Sequence, residues 1–129
     1  MKIEYGQDTI GDDLAGDIIT PAITRQHNRE VQVDTLAGAG APFVYPRGNV
    51  RNTVSFVIDR QHANNEAAVI HILTYPDSLP NQAALRISQD YEAFQMADAC
   101  LVSAEIVALI GRSTQIRYTF TGGPLTSAV

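Results

Sequence analysis

With 129 residues and a mass of 14.0 kDa, the chain is long enough for one domain with a hydrophobic core and too short for two ordinary domains. Its 45% hydrophobic and 18% charged residues are typical of a folded globular protein. The formal charge of −5 argues against broad binding of nucleic-acid phosphates, because proteins that bind them concentrate positive charge.

The cysteine content and the lengths of the apolar runs indicate in which cellular compartment the protein is expected. Cys100 is the only cysteine, which excludes an intrachain disulfide and paired-thiolate metal sites and fits a chain made in a reducing cytoplasm. No segment approaches the roughly 18 apolar residues of a membrane span, and no apolar run follows Lys2 as in an export signal. We therefore expect a soluble protein with no membrane partner.

The N-terminal third predicts little regular structure. KIEY, residues 2–5, has the composition of a short strand, but the Gly- and Asp-rich stretch that follows has no sustained period, so we expect residues 1–17 to form an extended arm. From Ile18 the pattern indicates a strand that Pro21 interrupts, which favours a sheet edge. Residues 30–35, EVQVDT, alternate as a strand does.

The centre of the chain predicts a long loop followed by a strand. LAGAGAP consists of small residues without a period, and a Pro-Arg-Gly-Asn turn at 46–49 follows it, so we expect residues 36–52 to form a long loop. TVSFVID, residues 53–59, then alternates clearly. Its apolar face is Val54, Phe56 and Ile58, which predicts a half-buried strand.

One helix is predicted after this strand. Asn64 and Asn65 are candidate N-caps, Glu66 lies in the first turn, and Pro76 is expected to end the helix. Its apolar face, which should lie against a sheet, is Ala67, Ile70 and Leu73 or Tyr75. The expected length of about three turns is near the mean for globular proteins.

The C-terminal third predicts strands. Residues 84–88, ALRIS, form one. Residues 96–110 have a composition that also permits a helix, but Gly111-Arg112 and the alternating apolar residues beyond it favour a hairpin. The second arm places Ile116, Tyr118 and Phe120 on one face. The order of elements predicts a mainly β (α+β) fold: an antiparallel β-sandwich or split barrel flanked by one α-helix, as a single domain over residues 1–129.

The residue types that carry catalysis or bind metals do not occur in recognisable patterns. His27, His62 and His71 match no zinc signature, and the cluster of Asp8, Asp12, Asp13 and Asp17 lacks the ligand order of a calcium loop. The GAGAP segment matches no phosphate-binding loop, and no nucleophile elbow is present. We therefore expect no enzyme activity, no catalytic residue, no cofactor, no metal and no small-molecule substrate.

Three arginines around the predicted turn are the candidate functional residues. Arg47 and Arg51 flank Gly48-Asn49, and Arg60 follows the strand. Together they could hold a phosphate or a short oligonucleotide, as in a small anion-binding β module. Alternatively they contact a neighbouring subunit, which is the more frequent role of arginines beside a turn. We favour subunit contacts at Arg47, Arg51 and Arg60.

The order of motifs from residue 43 to residue 123 resembles small tail proteins of bacteriophages and prophages. In those proteins a [FY]-P-R-G-N turn precedes a strand, a helix ends near S-L-P, and a last hairpin finishes Y-x-F-x-G-G. The corresponding residues here are YPRGN (45–49), SLP (78–80) and YTFTGG (118–123). The chain is therefore identified as similar to proteins of the tail-tube and distal tail type.

This resemblance implies a β-sandwich or split barrel that assembles into a ring, commonly a hexamer, in the tail of a virion. Neighbouring sheets would join to line a channel through which genomic DNA passes without specific binding, and arms or long loops would reach other tail proteins. The chain has no second, carbohydrate-binding part, so a receptor-binding role is not implied. A tail terminator or a head-to-tail joining ring is the alternative within the same class.

Overall fold

Strands make up most of the chain. The structure is a computed structural model that describes residues 1–19, 24–35 and 42–128, with residues 30–35 and 42–50 described as backbone only. The strands are β1 Lys2–Tyr5, β2 Asp8–Asp12, β3 Ile18–Ile19, β4 Thr24–Thr35, β5 Pro42–Gln61, β6 Gln82–Gln89, β7 Glu92–Ile110, β8 Ser113–Gly122 and β9 Thr126–Ser127. The helix α1 is Asn65–Ser78, and a short 3-10 turn covers Asp13–Ala15.

The strands form one sheet, in which every pairing is antiparallel. The order is β2-β1-β6-β7-β8-β5-β3, with β4 added to the free part of β5 and β9 added to β7. The sheet curls into a half-barrel, which confirms the predicted mainly β class with a single long helix among the described residues. The two ends of the strand order approach each other, because the 3-10 turn connects β2 to β3.

The core lies on the concave face of the sheet, as the alternation in β5 and β8 predicts. Val54 is opposite Phe120, and Phe56 is opposite Tyr118; all four are buried. The rings of Phe56 and Phe120 stack with centroids 5.7 Å apart, and Tyr5 packs on Phe120 at 4.7 Å. Burial of each large side chain contributes roughly 1.5–3 kcal/mol.

The prediction of an extended arm over residues 1–17 is wrong. β1 lies inside the sheet between β2 and β6, and Ile3, Tyr5 and Ile10 are buried in the core. The Asp12 side chain then caps the 3-10 turn by accepting from Leu14 N at 3.0 Å. Strands of four and five residues are too short to show a period. β1 also needs β6, about eighty residues away, to place it inside the sheet, and local pattern does not report that pairing.

The prediction of a loop over residues 36–52 is wrong from Pro42 onward, since β5 begins there; residues 36–41 and Pro21 lie outside the described residues. The expected turn at 46–49 is instead an irregularity inside the strand. Arg29 pairs with Val50 and Val31 pairs with Pro46, so residues 47–49 face a single residue of β4. Proline and glycine are tolerated at such bulges, which explains the misleading turn signal. The predicted strand at 30–35 is confirmed within β4.

The helix is confirmed at its start and differs at its end. Asn64 is the N-cap, and its Oδ1 accepts from Ala67 N at 2.8 Å. Pro76 does not end the helix but lies in its last turn, which closes at Ser78. The inward face also differs from the prediction: Ala68 is buried and Tyr75 partly so, whereas Ile70 and Leu73 face solvent.

The predicted C-terminal hairpin is confirmed. β7 and β8 are joined by Gly111-Arg112, and Gly111 has the left-handed φ of 59° that such a turn requires. β7 is longer than predicted, because it begins at Glu92 and pairs there with β6. The strand at 84–88 is confirmed within β6.

Gly122 is required for close packing between β8 and β7. A Cβ at this position would lie 2.5 Å from Met96 Sδ and 3.1 Å from the Asp98 carbonyl oxygen. We expect Gly122→Ala to lower the free energy of unfolding by about 1–3 kcal/mol, measured by urea denaturation. In a Met96→Ala background the same change should cost clearly less, since the opposing side chain is gone. Equal costs in the two backgrounds would contradict this explanation.

Candidate assembly interface

One flank of the half-barrel carries an unpaired strand segment beside the helix. β6 begins at Gln82, opposite Cys100, and does not extend farther along β7. Residues 102–110 of β7 therefore pair only with β8. α1 begins near the β7–β8 turn, where His62 N donates to Arg112 O at 2.8 Å. After the helix the chain meets β7 again, where Leu101 N donates to Asn81 O at 3.2 Å. The helix therefore runs along the unpaired segment.

The side chains on this flank are large, apolar and exposed. Their exposed fractions range from 41% to 69%. We call this set the apolar flank; it consists of Val69, Ile70 and Leu73 on α1 and Val102, Ile106, Val107, Leu109 and Ile110 on β7. Single exposed apolar residues are normal, but a group of eight bordering one flank is typical of a surface that binds another protein.

Two β-bulges shape the unpaired segment. Leu101 and Ser103 pair with consecutive residues of β8, and so do Ile106 and Ala108, so that Val102 and Val107 are the extra residues. Bulges bend a strand and are common on sheet edges, where they limit uncontrolled pairing with other chains. Contacts at this flank would therefore depend mainly on the exposed side chains.

The face of the sheet opposite the core is polar. Thr53 and Thr121 hydroxyls lie 3.1 Å apart, and Ser55 and Thr119 hydroxyls repeat this pairing at 3.1 Å. Farther along, Gln115 Nε2 donates to Asp59 Oδ2 at 3.2 Å. We call this surface the hydroxyl face; it presents hydroxyls that bond to each other together with the Asp59 carboxylate, which accepts from Gln115.

Arg60 pairs within its own chain. Its Nε and Nη2 donate to the two carboxylate oxygens of Asp17 at 3.1 and 3.0 Å, and Nη2 also donates to Ile10 O at 2.7 Å. Burial alone would lower the pKa of the guanidinium, but the Asp17 carboxylate more than offsets this and raises it. Arg60 thus ties β5 to β2 and to the turn before β3, which closes the half-barrel.

The structure separates the three arginines that were predicted to act together. Arg51 and Arg60 lie nine residues apart on β5, which is about 30 Å and on opposite faces of the strand. Arg47 lies farther still along β5, and Arg51 is exposed. The spacing of Arg51 and Arg60 does not support an anion-binding module that uses all three arginines on one ligand, and the subunit contacts expected at these residues stay a prediction.

A ring cluster lies under α1, next to Arg60. His62 and His71 centroids are 4.6 Å apart, His71 stacks on Tyr75 at 4.7 Å, and the Arg60 guanidinium lies 5.7 Å from the Tyr75 ring centroid. Burial, His62 and Arg60 lower the pKa of His71 to about 4. Burial and Arg60 also lower the pKa of His62. Both imidazoles are therefore neutral at pH 7.

These lowered pKa values predict a loss of stability in mild acid. Below pH 6.5 the unfolded chain binds protons that the folded His71 does not bind until the pH nears 4, so the free energy of unfolding falls as the pH falls between these values. We expect a loss of about 1–2 kcal/mol, allowing for solvent screening of a partly exposed ring. Urea denaturation at several pH values measures it. His71→Gln should flatten the profile; a variant profile parallel to the original would contradict this origin.

A cavity of about 370 Å³ opens beside the base of the β4–β5 hairpin and is lined largely by apolar side chains, among them Ile87, Phe94 and Leu125. No group of three or more potential metal ligands is present among the described residues. In the same part of the chain, α1 falls short of the length and apolar character needed to cross a membrane.

Sequence reasoning did not identify the apolar flank. Ile70 and Leu73 were assigned to the core face of the helix, and Val102 and Val107 were read as strand residues without regard to exposure. The signal that could have identified it is the number of apolar residues in β7. Over 101–110 they occur on both faces of the strand, whereas packing against one core requires them on one face only. Such a run indicates a strand with a second covering surface.

Comparison with known proteins gives similarity of structure only. No protein-family model and no curated protein matches the chain. Among solved structures, it is similar to the anti-feeding prophage cap, which terminates the tube, with 10% identity, a TM-score of 0.46, and coverage of 99% of this chain and 87% of that one. It is also similar to a chain of the virion of a native gene transfer agent particle, with 12% identity, a TM-score of 0.42, and coverage of 84% and 83%.

Proposed function

We propose that the protein is a non-enzymatic structural subunit of a bacteriophage tail that assembles with copies of itself into a ring around the DNA channel. The tail tube or the distal tail ring is its proposed place, with a tail terminator or joining ring as the alternative. The observation that carries the proposal is the apolar flank, whose eight exposed side chains border an unpaired strand segment. The motif order of residues 43–123 supports the same class of protein.

The occupant of the apolar flank is a second copy of the chain. Burial of a large aliphatic side chain contributes about 1.5–3 kcal/mol, so even half of these residues would offset much of the entropic cost of association. The outer edge of β4 is the other long edge in the described part of the chain, since β4 pairs there only with β5. Contact between two different edges is heterologous, and such contacts close into rings when the rotation permits.

The hydroxyl face suits a channel that DNA must cross without binding. Its threonine and serine hydroxyls already bond to each other. Among the residues described on this face, Arg117 pairs with Glu105, and Asp59 adds a carboxylate rather than a positive charge. With a chain of net charge −5, such a surface offers phosphates no concentrated positive charge. We place this face toward the channel and the core and helix away from it.

Electron microscopy of the purified protein tests the proposal. Negatively stained particles should be rings with a central hole, and six-fold symmetry is the expected form. Sedimentation velocity over a range of concentrations should show a discrete oligomer in equilibrium with the monomer. A protein that stays monomeric at high concentration would refute the proposed function.

A further inference from the structure

Charge is unevenly divided between one hairpin and the rest of the chain. The hairpin consists of β4 and residues 42–51 of β5, and it holds four of the nine basic residues but only two of the fourteen acidic ones. The formal charge of the hairpin is therefore +2 and that of the rest of the chain is −7, which together give the net charge of −5. β8 ends at Gly122, opposite Asn52, so most of the hairpin extends past the end of this neighbouring strand. Most of the hairpin's positive charge thus extends beyond the acidic body, whereas Arg25, at the hairpin base, lines the same cavity as Glu92 of its own copy.

The described arginines of this hairpin face solvent. Arg25, Arg29 and Arg51 are all exposed. Arg25 is anchored at the hairpin base, where its Nε donates to Asn52 Oδ1 at 3.0 Å. Neither Arg25 nor Arg29 forms an ion pair with a carboxylate elsewhere in the described residues. The charge of these two side chains is therefore available to another molecule.

A complementary surface lies on the body, where two turns meet. The 3-10 turn and the β6–β7 turn border a groove of about 430 Å³ that contains the carboxylates of Asp12, Asp13 and Asp90. Lys2 and the N-terminal ammonium also line the groove, and the ammonium pairs with Asp13, which leaves Asp90 as the carboxylate farthest from a positive charge of its own chain. Beside it, Leu14 is 95% exposed and Tyr91 is 94% exposed. We call residues 12–14 and 89–92 the acidic tip. Two large apolar side chains in full solvent, next to carboxylates, make it more than a solvated acidic loop.

We propose that the hairpin arginines of one copy dock on the acidic tip of a second copy, an inference that rests on the self-assembly proposed above. Guanidinium groups bind carboxylates with two parallel hydrogen bonds and also pack on tyrosine rings. Arginine and tyrosine are both enriched at protein interfaces. Each copy offers one hairpin and one tip, so the contact is head to tail and propagates around a ring.

A second copy fits the hairpin better than a nucleic acid does. The hairpin carries Glu30 and Asp34 as well as its arginines, and the body beside it has a formal charge of −7. A DNA duplex would be repelled by that body, whereas a second copy presents its acidic tip to the hairpin. Charge complementarity also removes the repulsion that two acidic bodies would otherwise experience in a ring.

Two charge-reversed variants test the docking. One variant carries Arg25→Glu and Arg29→Glu in the hairpin, and the other carries Asp90→Lys and Glu92→Lys in the tip. Each alone should associate at least tenfold more weakly than the original protein, because like charges then meet at every contact. An equimolar mixture should recover association to within about threefold, since the acidic hairpin meets the basic tip and the basic hairpin meets the acidic tip.

Matched controls separate this contact from a general effect of net charge. Arg86→Glu with Arg117→Glu matches the charge change of the hairpin variant, and Glu4→Lys with Asp98→Lys matches that of the tip variant. All four residues lie outside the hairpin, the acidic tip and the apolar flank. They should associate as the original does, and circular dichroism should show all variants folded. Failure of the mixture to recover overturns the proposal. So does a hairpin variant that loses binding to a labelled DNA duplex while the tip variant assembles normally.

The outcomes also distinguish this inference from the proposed function. Rings that form equally well from every variant would overturn the docking and leave the ring subunit intact. Open, salt-sensitive oligomers that obey the charge-reversal pattern would support the docking and refute the ring. Sedimentation velocity measures the association, and negative-stain images give the shape of the product.

Discussion

Leu73→Lys combined with Ile110→Lys is expected to abolish ring assembly and leave the monomer folded. These two side chains are 67% and 69% exposed, so the monomer loses little packing when they become polar. In the assembled ring each would be buried against a second copy, and the loss of two such contacts costs about 3–6 kcal/mol. The association constant should therefore fall at least a hundredfold, measured by sedimentation velocity.

The control places the same two charges elsewhere on the surface. Gln61 and Gln82 are exposed and lie outside the apolar flank, so Gln61→Lys with Gln82→Lys should assemble normally. Thermal unfolding of both variants below the association concentration should give midpoints close to that of the original monomer. If the flank variant assembles as well as the control, the apolar flank is not the subunit interface.

Asp17→Ala is expected to have the largest effect on the stability of the monomer. Asp17 is only 8% exposed, and its carboxylate accepts from the Arg60 guanidinium and from Asp12 N. Its removal leaves a partly buried cation and a backbone N–H without their acceptor. We expect a loss of about 2–4 kcal/mol in the free energy of unfolding, measured by urea denaturation.

An exposed ion pair provides the comparison. Arg117 and Glu105 pair at 3.3 Å on the sheet surface, with both side chains largely in solvent. Arg117→Met should therefore change stability by less than about 1 kcal/mol, whereas Arg60→Met should approach the cost of Asp17→Ala. Similar costs for the two arginine variants would mean that Arg60 does not close the half-barrel as described.

The parts of the fold that the sequence predicted are those in which the pattern within one strand or one helical turn is enough to determine the structure. The alternation of Val54, Phe56 and Ile58 requires a half-buried strand whatever its partner, and Asn64 caps a helix through a contact three residues away. The parts that it did not predict depend on distant residues. β1 is internal to the sheet because β6 pairs with it on the side away from β2, and residues 47–49 stay within a strand because β4 runs beside them.

The candidate interface likewise has features that the sequence predicted and features that it did not. Composition and motif order indicated an assembly protein, but the apolar flank became visible only once α1 and β7 were placed side by side. Arg60 illustrates the opposite error. In sequence it belongs to a group of arginines near a turn, and in the structure its acceptor is Asp17, more than forty residues earlier. Which residue a side chain contacts depends on the topology of the fold, and the spacing of residues in the local sequence does not reveal it.

The internal position of β1 has a consequence for the timing of folding and assembly. Lys2 pairs with Ser88, so β1 is held by a strand that is synthesised more than seventy residues later. Long-range pairing of this kind slows folding, because the connecting chain must be ordered before the contact forms. Closure of the half-barrel by Asp17 and Arg60 also places the first residues of the chain in its core. The proposed assembly therefore requires copies in which at least residues 2–88 have been synthesised and paired.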